Sequence, residues 1–192
     1  MANWATTSYR IEGSKEELTR LFGVINDFMT GQRKPSKDSS HDWEGNIVKV
    51  LGATEEQVKQ NYLRGFIQSY DLEDGFLSIE AEEAWGATDF RKVLVQLMPE
   101  LTIYFVVEEP GMEVYATNDS EGKYFADRFF VDTCVDDNYR SEYFKHLEDA
   151  MAFVAQLLGK NNITAEELET WNEEHEDGDN FAYVHEFEVV DV

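Results

Sequence analysis

Residues 66–85 read FIQSYDLEDGFLSIEAEEAW and carry the strongest indication of the fold class in this sequence. Its second half alternates apolar and polar residues from Leu77 to Glu82, which is the period of a half-buried strand. Between the two halves stands Asp74-Gly75, a dipeptide typical of tight hairpin turns because both residues tolerate positive φ. The stretch therefore predicts an antiparallel hairpin of two strands, Phe66–Leu72 and Phe76–Trp85.

Helix starts are marked by capping boxes, in which a Ser or Thr is followed three residues later by Glu or Gln. They begin at Ser14, Thr54 and Thr164. Two further helices are predicted from apolar residues at helical spacing, one from Thr88 to Pro99 and one from Leu147 to Gly159. The remaining predicted strands are Asn3–Ile11, Leu101–Val107, Met112–Thr117, Tyr124–Thr133 and Phe181–Val190. The chain up to Val107 thus has the order βα(α)ββαβ.

Composition excludes several classes of protein. The 192 residues amount to about one domain at ~150 residues per domain, and 42% hydrophobic residues are enough for a packed core. A single cysteine, Cys134, rules out a disulfide framework and a multi-cysteine metal site. We expect no membrane span, because no run of 18 or more apolar residues occurs. The first five residues show no secretion signal, so we expect a cytoplasmic protein.

The net charge of −24 is distributed unevenly along the chain. Residues 1–64 carry nine basic and nine acidic side chains, whereas residues 65–192 carry 31 acidic and 7 basic ones. Direct binding of nucleic acid is disfavoured, because contacts to phosphates need Lys and Arg. A neutral first third and an anionic remainder favour attraction within the chain, between copies, or to a basic partner. The alternative interpretation is a surface that is acidic only for solubility.

Several short motifs together resemble the YubB-like proteins, a family of bacterial, plasmid and phage products. The motifs are Asn3-Trp4, SIEAEEAWG over residues 78–86, MPELTIYF over 98–105, and Glu108-Glu109-Pro110-Gly111. The resemblance covers about residues 1–133, and Ala5 stands where a Cys is commoner in the family. It implies a ferredoxin-like N-terminal domain and an association with mobile elements, and it implies no particular reaction.

These observations predict an α+β protein with a ferredoxin-like βαββαβ core, a mainly antiparallel sheet and extra strands. We expect the core to cover residues 1–133. Residues 134–192 are predicted to form a helical appendage with a final strand, packed on the core as one compact unit.

The densest acidic segment, Glu166–Asp179, holds eight carboxylates and no Lys or Arg. If it is helical, these charges span roughly 20 Å, or about 2.6 Å per charge, compared with about 1.7 Å per charge in duplex DNA. Trp171 lies on the narrow apolar side of this helix and is a candidate contact for a partner. The candidate interaction surface consists of Glu166, Glu169, Trp171, Glu173, Glu174, Glu176 and Asp177.

A second group of carboxylates lies at the end of the predicted strand Tyr124–Thr133 and just after it. Asp132, Asp136 and Asp137 offer the oxygen ligands that Mg²⁺ and Ca²⁺ prefer, so they are candidate metal ligands. The spacing of an EF-hand is absent, and solvated acidic turns explain the same residues. No motif for nucleotide binding or for a serine nucleophile occurs, so no catalytic residue and no cofactor are predicted.

Three hypotheses about function follow. The first is a non-enzymatic interaction module that binds a basic protein, with mimicry of nucleic acid as its specific form. The second is a homo-oligomer in which the basic segment Arg33–Lys37 contacts an anionic face of another copy. The third is a carboxylate or divalent-metal enzyme that uses the region of Asp132–Asp137. We rank them in this order.

Overall fold

The computed structural model describes residues 3–175 and 179–191 of the chain. By its contacts the chain divides into two compact units. The first unit runs up to Ser120 and resumes at Val189, and the second unit is Glu121–Glu188. The sequence placed the predicted strand Tyr124–Thr133 in the core of residues 1–133. In the structure the corresponding strand, Phe129–Val135, pairs with strands of the second unit, so the division falls after Ser120. Tight packing of the two parts into one unit stays a prediction.

The first unit is built on an antiparallel sheet with strand order β2-β3-β1-β4-β5-β9. Each pairing from β2 to β5 is antiparallel, and the predicted hairpin is the pair β2–β3. The strands are β1 (Trp4–Glu12), β2 (Gly65–Leu72), β3 (Phe76–Ala84), β4 (Thr102–Glu109), β5 (Val114–Thr117) and the short β9 (Glu188–Val189). The helices are α1 (Lys15–Met29), α2 (Glu44–Leu51), α3 (Glu55–Gln60) and α4 (Phe90–Leu97), and a 3-10 turn covers Pro110–Met112.

The core of the first unit lies between one face of this sheet and the apolar sides of α1, α2 and α4. Along β1, every second side chain from Ala5 to Ile11 is buried, as the period of a strand requires. The same hydrophobic core contains Leu21 of α1, Ile47 of α2 and Leu94 of α4. Polar residues at these buried strand positions, such as Thr7, therefore face the helices.

In its described residues the second unit contains three strands and two helices. For residues 134–192 the sequence predicted helices with one final strand, and it did not predict the strand over residues 138–144. Its sheet has the order β7-β6-β8 and is antiparallel. The elements are β6 (Phe129–Val135), β7 (Asn138–Phe144), α5 (Leu147–Leu157), α6 (Ala165–Glu174) and β8 (Phe181–Glu186). Val131, Val154, Leu168 and Ala182 are buried in its separate core. The predicted strand Phe181–Val190 is interrupted at Phe187, and its two parts join different sheets.

The molecule is thus an α+β protein with mostly antiparallel sheets, as the sequence predicted. Of the helices in the described part of the chain, none has the length and apolar character needed to cross a bilayer.

Candidate functional site

The predicted acidic surface lies on α6 of the second unit. We define the acidic face as Glu166, Glu167, Glu169, Glu173 and Glu174, all of which are exposed. The helix begins with the predicted capping box: the backbone N–H of Glu167 donates to Thr164 Oγ1 at 3.2 Å, and the backbone N–H of Thr164 donates to Glu167 Oε2 at 2.8 Å. The bond from the Thr164 backbone lowers the pKa of Glu167, which keeps this carboxylate charged.

The opposite side of α6 is fixed to the sheet, and this orients the acidic face outward. Leu168 is buried in the core of the second unit, and Trp171 is half-buried against it. The Asn172 side chain pairs with the backbone of Ala182 in β8, donating to its carbonyl at 2.8 Å and accepting from its N–H at 2.9 Å. Trp171 also stacks on His175 with ring centroids 4.2 Å apart. Trp171 therefore holds the helix in place more than it offers a free ring to a partner.

The carboxylates of the acidic face form no ion pairs within the described chain. Across residues 3–175 and 179–191, no Lys, Arg or His side chain lies within ion-pair distance of any of the five. Lys160 acts on Glu167 only at longer range, as a minor contribution to its lowered pKa. The face therefore keeps a net negative field. Two other predicted residues of this surface, Glu176 and Asp177, lie outside the described residues.

The three candidate metal ligands are placed along β6 and the turn that follows it. Asp132 is half-buried in β6, opposite Ser141 and Tyr183 of the neighbouring strands. Asp136 and Asp137 form the exposed turn between β6 and β7 and have φ of 51° and 62°. Among the described residues, no group of three His, Cys, Asp or Glu side chains is arranged to hold a metal ion. The turn geometry accounts for this Asp-Asp pair, since Asp is one of the residues that tolerate positive φ.

A polar cluster that the sequence analysis missed is buried in the first unit. We call it the carboxyl cluster, and its members are Tyr9, Glu44, Glu83 and Thr88. The Tyr9 hydroxyl donates to Glu83, at 2.8 Å from Oε1 and 3.0 Å from Oε2. Thr88 Oγ1 lies 2.5 Å from Glu83 Oε1 and 2.9 Å from Glu44 Oε2. Two acidic side chains therefore meet at one hydroxyl inside the core.

The geometry of the carboxyl cluster requires a proton on one of the two acids. A threonine hydroxyl carries one hydrogen, so it donates to only one of the carboxyls, and the other contact needs a proton on the carboxyl itself. Burial raises the pKa of Glu44 well above its ordinary value, and the charge of Glu83 and a hydrogen bond to it add to this effect. Glu83 already accepts from Tyr9. We therefore assign the proton to Glu44.

Arg91 lies beside the carboxyl cluster without forming an ion pair with it. Its Nη1 donates to the carbonyl of Thr88 at 2.7 Å, and its guanidinium carbon lies 4.5 Å from the ring centroid of Phe105. The pKa of Tyr9 is raised by burial and by the two carboxyls, and the charge of Arg91 only partly offsets this rise. The positive charge of Arg91 therefore acts on the Tyr9 hydroxyl through space, without an ion pair.

The carboxyl cluster is closed to solvent. Tyr9, Glu44, Glu83 and Thr88 each have 0% exposure. A group without exposed area cannot contact a substrate, so this arrangement suits a structural and pH-dependent role. The sequence offers one hint, because neighbours in a strand point to opposite faces: Glu82 is exposed and Glu83 is buried.

Comparison with known proteins identifies no relative of this chain. No family model, no curated protein and no solved structure shows significant similarity to the chain.

Proposed function

We propose that the protein is a non-enzymatic interaction module that binds a basic protein partner through the acidic face of α6. One observation carries the proposal: five exposed carboxylates, which form no ion pair with any described residue, lie on a helix whose other side is fixed to the sheet. The second unit as a whole holds 18 acidic and 5 basic residues. Such a surface attracts a positively charged partner and accelerates its association.

Mimicry of nucleic acid is the specific form of this proposal. The acidic face runs from Glu166 to Glu174, a rise of roughly 12 Å at 1.5 Å per residue. Its five charges are thus about 3 Å apart along the helix axis, against about 1.7 Å per charge in duplex DNA. A protein that binds DNA through Lys and Arg meets a comparable density of negative charge here.

We further propose that the first unit is a ferredoxin-like core and that the chain is a YubB-like protein of a mobile element, acting in the cytoplasm. The strand order β2-β3-β1-β4 and the antiparallel pairing support the ferredoxin-like arrangement, since the chain follows a βαββαβ path through these strands. The family and the mobile-element association rest on the sequence motifs alone.

Affinity capture from a lysate of the native host tests the proposed function. We expect the wild-type chain to retain one or more Lys- and Arg-rich proteins at low ionic strength, where the Debye length exceeds about 10 Å, and to release them as salt is added. The variant Glu166→Gln/Glu169→Gln/Glu173→Gln should retain at least about tenfold less of the same proteins, since it removes three charges from one helix.

A matched control separates the acidic face from net charge. Glu16, Glu56 and Glu100 are exposed in the first unit, and replacing all three with Gln changes the net charge by the same amount. This control should retain the partner as the wild type does. The proposal is contradicted if the wild type, the α6 variant and the control variant retain equal amounts of the partner. It is also contradicted if the captured proteins show no excess of basic proteins.

Self-association is the second candidate function, and exposed basic residues favour it. Lys34 and Lys37 are exposed in the loop after α1, while Arg33 pairs with Asp27 at 3.1 Å. Light scattering across a salt gradient distinguishes this candidate. If the wild type forms dimers or larger species at low salt, and Lys34→Gln/Lys37→Gln remains monomeric, then a second copy is the basic partner.

A further inference from the structure

An apolar groove lies beside the acidic face, entirely within the second unit. It is formed by α5, α6, β6 and β8 and has a volume of about 290 Å³. Its apolar lining includes Phe129, Leu147, Met151, Leu168 and Val184. Leu147 is 50% exposed, so the apolar wall of the groove is open to solvent. Apolar surface that remains accessible next to a charged face is typical of an interaction site.

The charged residues that line the groove are acidic. Glu169 lines it from α6, and Glu186 lines it from β8; both are exposed, and neither forms an ion pair with a described residue. None of the residues lining the groove, all of them described, is basic. A segment that enters this groove must therefore bring apolar side chains to its floor and positive charge to its rim.

The size of the groove sets the kind of occupant. About 290 Å³ is at the lower limit of small-molecule pockets, which measure roughly 300–1,000 Å³. It suits an anchoring side chain of a protein partner better than a free ligand of drug size. An amphipathic helix that places one large apolar residue between Lys and Arg residues combines the required features.

Resting on the proposed function above, we propose that this groove receives an apolar anchor residue of the basic partner, presented on a Lys- and Arg-rich amphipathic helix. Charge brings the partner to the acidic face, and the anchor fixes its position. The basic loop of this chain fits less well as the occupant, since Arg33-Lys34-Pro35-Ser36-Lys37 offers no large apolar side chain.

The test uses three synthetic helical peptides and the whole 192-residue chain. The first peptide carries Lys and Arg with a central Trp, the second has Ser in place of that Trp, and the third keeps the Trp but has Gln in place of each Lys and Arg. We expect the first peptide to bind about tenfold to a hundredfold more tightly than the second, because one large apolar side chain becomes buried. The third should bind at least about tenfold more weakly than the first.

The protein variant Ala165→Phe fills the groove. Ala165 is exposed, lines the groove and stands at the first position of α6, so a larger side chain there does not enter the core. The variant should lose the preference for Trp over Ser while its salt-dependent binding of the Ser peptide is unchanged. Leu147→Ser is a second variant with the same expectation, and thermal unfolding of both confirms that they remain folded.

The outcomes separate the groove from the acidic face. Equal affinity of the wild type for the Trp and Ser peptides overturns the groove proposal alone, provided that both peptides bind in a salt-dependent way. If neither basic peptide binds at low salt, the proposed function fails together with it. If instead the wild type dimerises and Ala165→Phe prevents this, the occupant is a second copy, and the proposal of a basic partner is overturned.

Discussion

Replacing Gly65 with Ala is expected to lower the free energy of unfolding by about 2–6 kcal/mol. Gly65 is buried in β2, opposite Glu83 of β3. A Cβ atom at this position would overlap the Glu44 carboxyl group, whose Cδ and two oxygens all lie closer to it than 3.0 Å. Overpacking costs about 1–3 kcal/mol, and displacing the Glu44 carboxyl from Thr88 leaves buried polar groups unpaired at a further cost of about 1–3 kcal/mol.

Denaturant unfolding of two variants checks this expectation. Gly23→Ala is the matched control, because Gly23 lies in α1 with no atom within 4 Å of the added methyl group. The control should be neutral or more stable by up to about 1 kcal/mol. The double variant Gly65→Ala/Glu44→Ala should be more stable than the sum of the two single changes predicts, since the shorter side chain removes the clash. A loss below about 0.5 kcal/mol for Gly65→Ala contradicts the described packing.

Replacing Glu44 with Gln is expected to change how stability depends on pH. The pKa of Glu44 is raised in the folded chain, so the native state holds a proton that the unfolded state releases above about pH 4.3. This stabilisation is complete below the unfolded pKa and is lost as the pH rises through the folded pKa. Within that window the wild type loses about 1.4 kcal/mol per pH unit through this one group. The amide of the Glu44→Gln variant has no proton to lose, and it still donates within the carboxyl cluster.

The stability of Glu44→Gln relative to the wild type should therefore rise as the pH increases above about 4.3, by about 1.4 kcal/mol per pH unit until the raised pKa of folded Glu44 is passed. Urea unfolding at several pH values measures the difference. Glu82→Gln is the control, because Glu82 lies on the exposed face of β3, next to the buried Glu83. Its difference from the wild type should stay constant with pH. Parallel curves for the wild type and Glu44→Gln would mean that Glu44 is not the protonated acid.

Features with a local cause were predictable from the sequence. The capping boxes at Ser14, Thr54 and Thr164 form as expected, since each needs only two residues three apart. The end of α5 is another such feature, because Gly159 adopts a φ of 66° just after the helix. The antiparallel α+β character follows from these elements and from the hairpin around Gly75.

Elements without a local signal were missed. α2 begins at Glu44 after Trp43, which provides no side-chain cap, and its second residue is Gly45. β7 has almost entirely exposed side chains, so its sequence lacks the alternation by which a half-buried strand is found. The turn before it was interpreted as a possible metal site because adjacent Asp residues suit both a cation and a tight turn.

The acidic surface could be located from the sequence, and the carboxyl cluster could not. A run of acid-rich sequence identifies a charged segment wherever it lies, and the structure adds that Glu166 and its neighbours on α6 are exposed. The pairing of Glu44 with Glu83 joins residues far apart in the chain, and only the fold brings them to Thr88. A buried acid in a strongly acidic sequence has no local mark that separates it from an exposed one.

The salt dependence of partner binding shows whether the acidic face of α6 is the surface that binds the partner. The dissociation constant of the captured basic protein is measured over a range of salt concentrations for the wild type, for Glu166→Gln/Glu169→Gln/Glu173→Gln, and for the control Glu16→Gln/Glu56→Gln/Glu100→Gln. If the acidic face binds the partner, the wild type and the control share one steep dependence, and the α6 variant binds more weakly with a shallower one. Three superimposable curves would show that the partner is bound elsewhere on the chain.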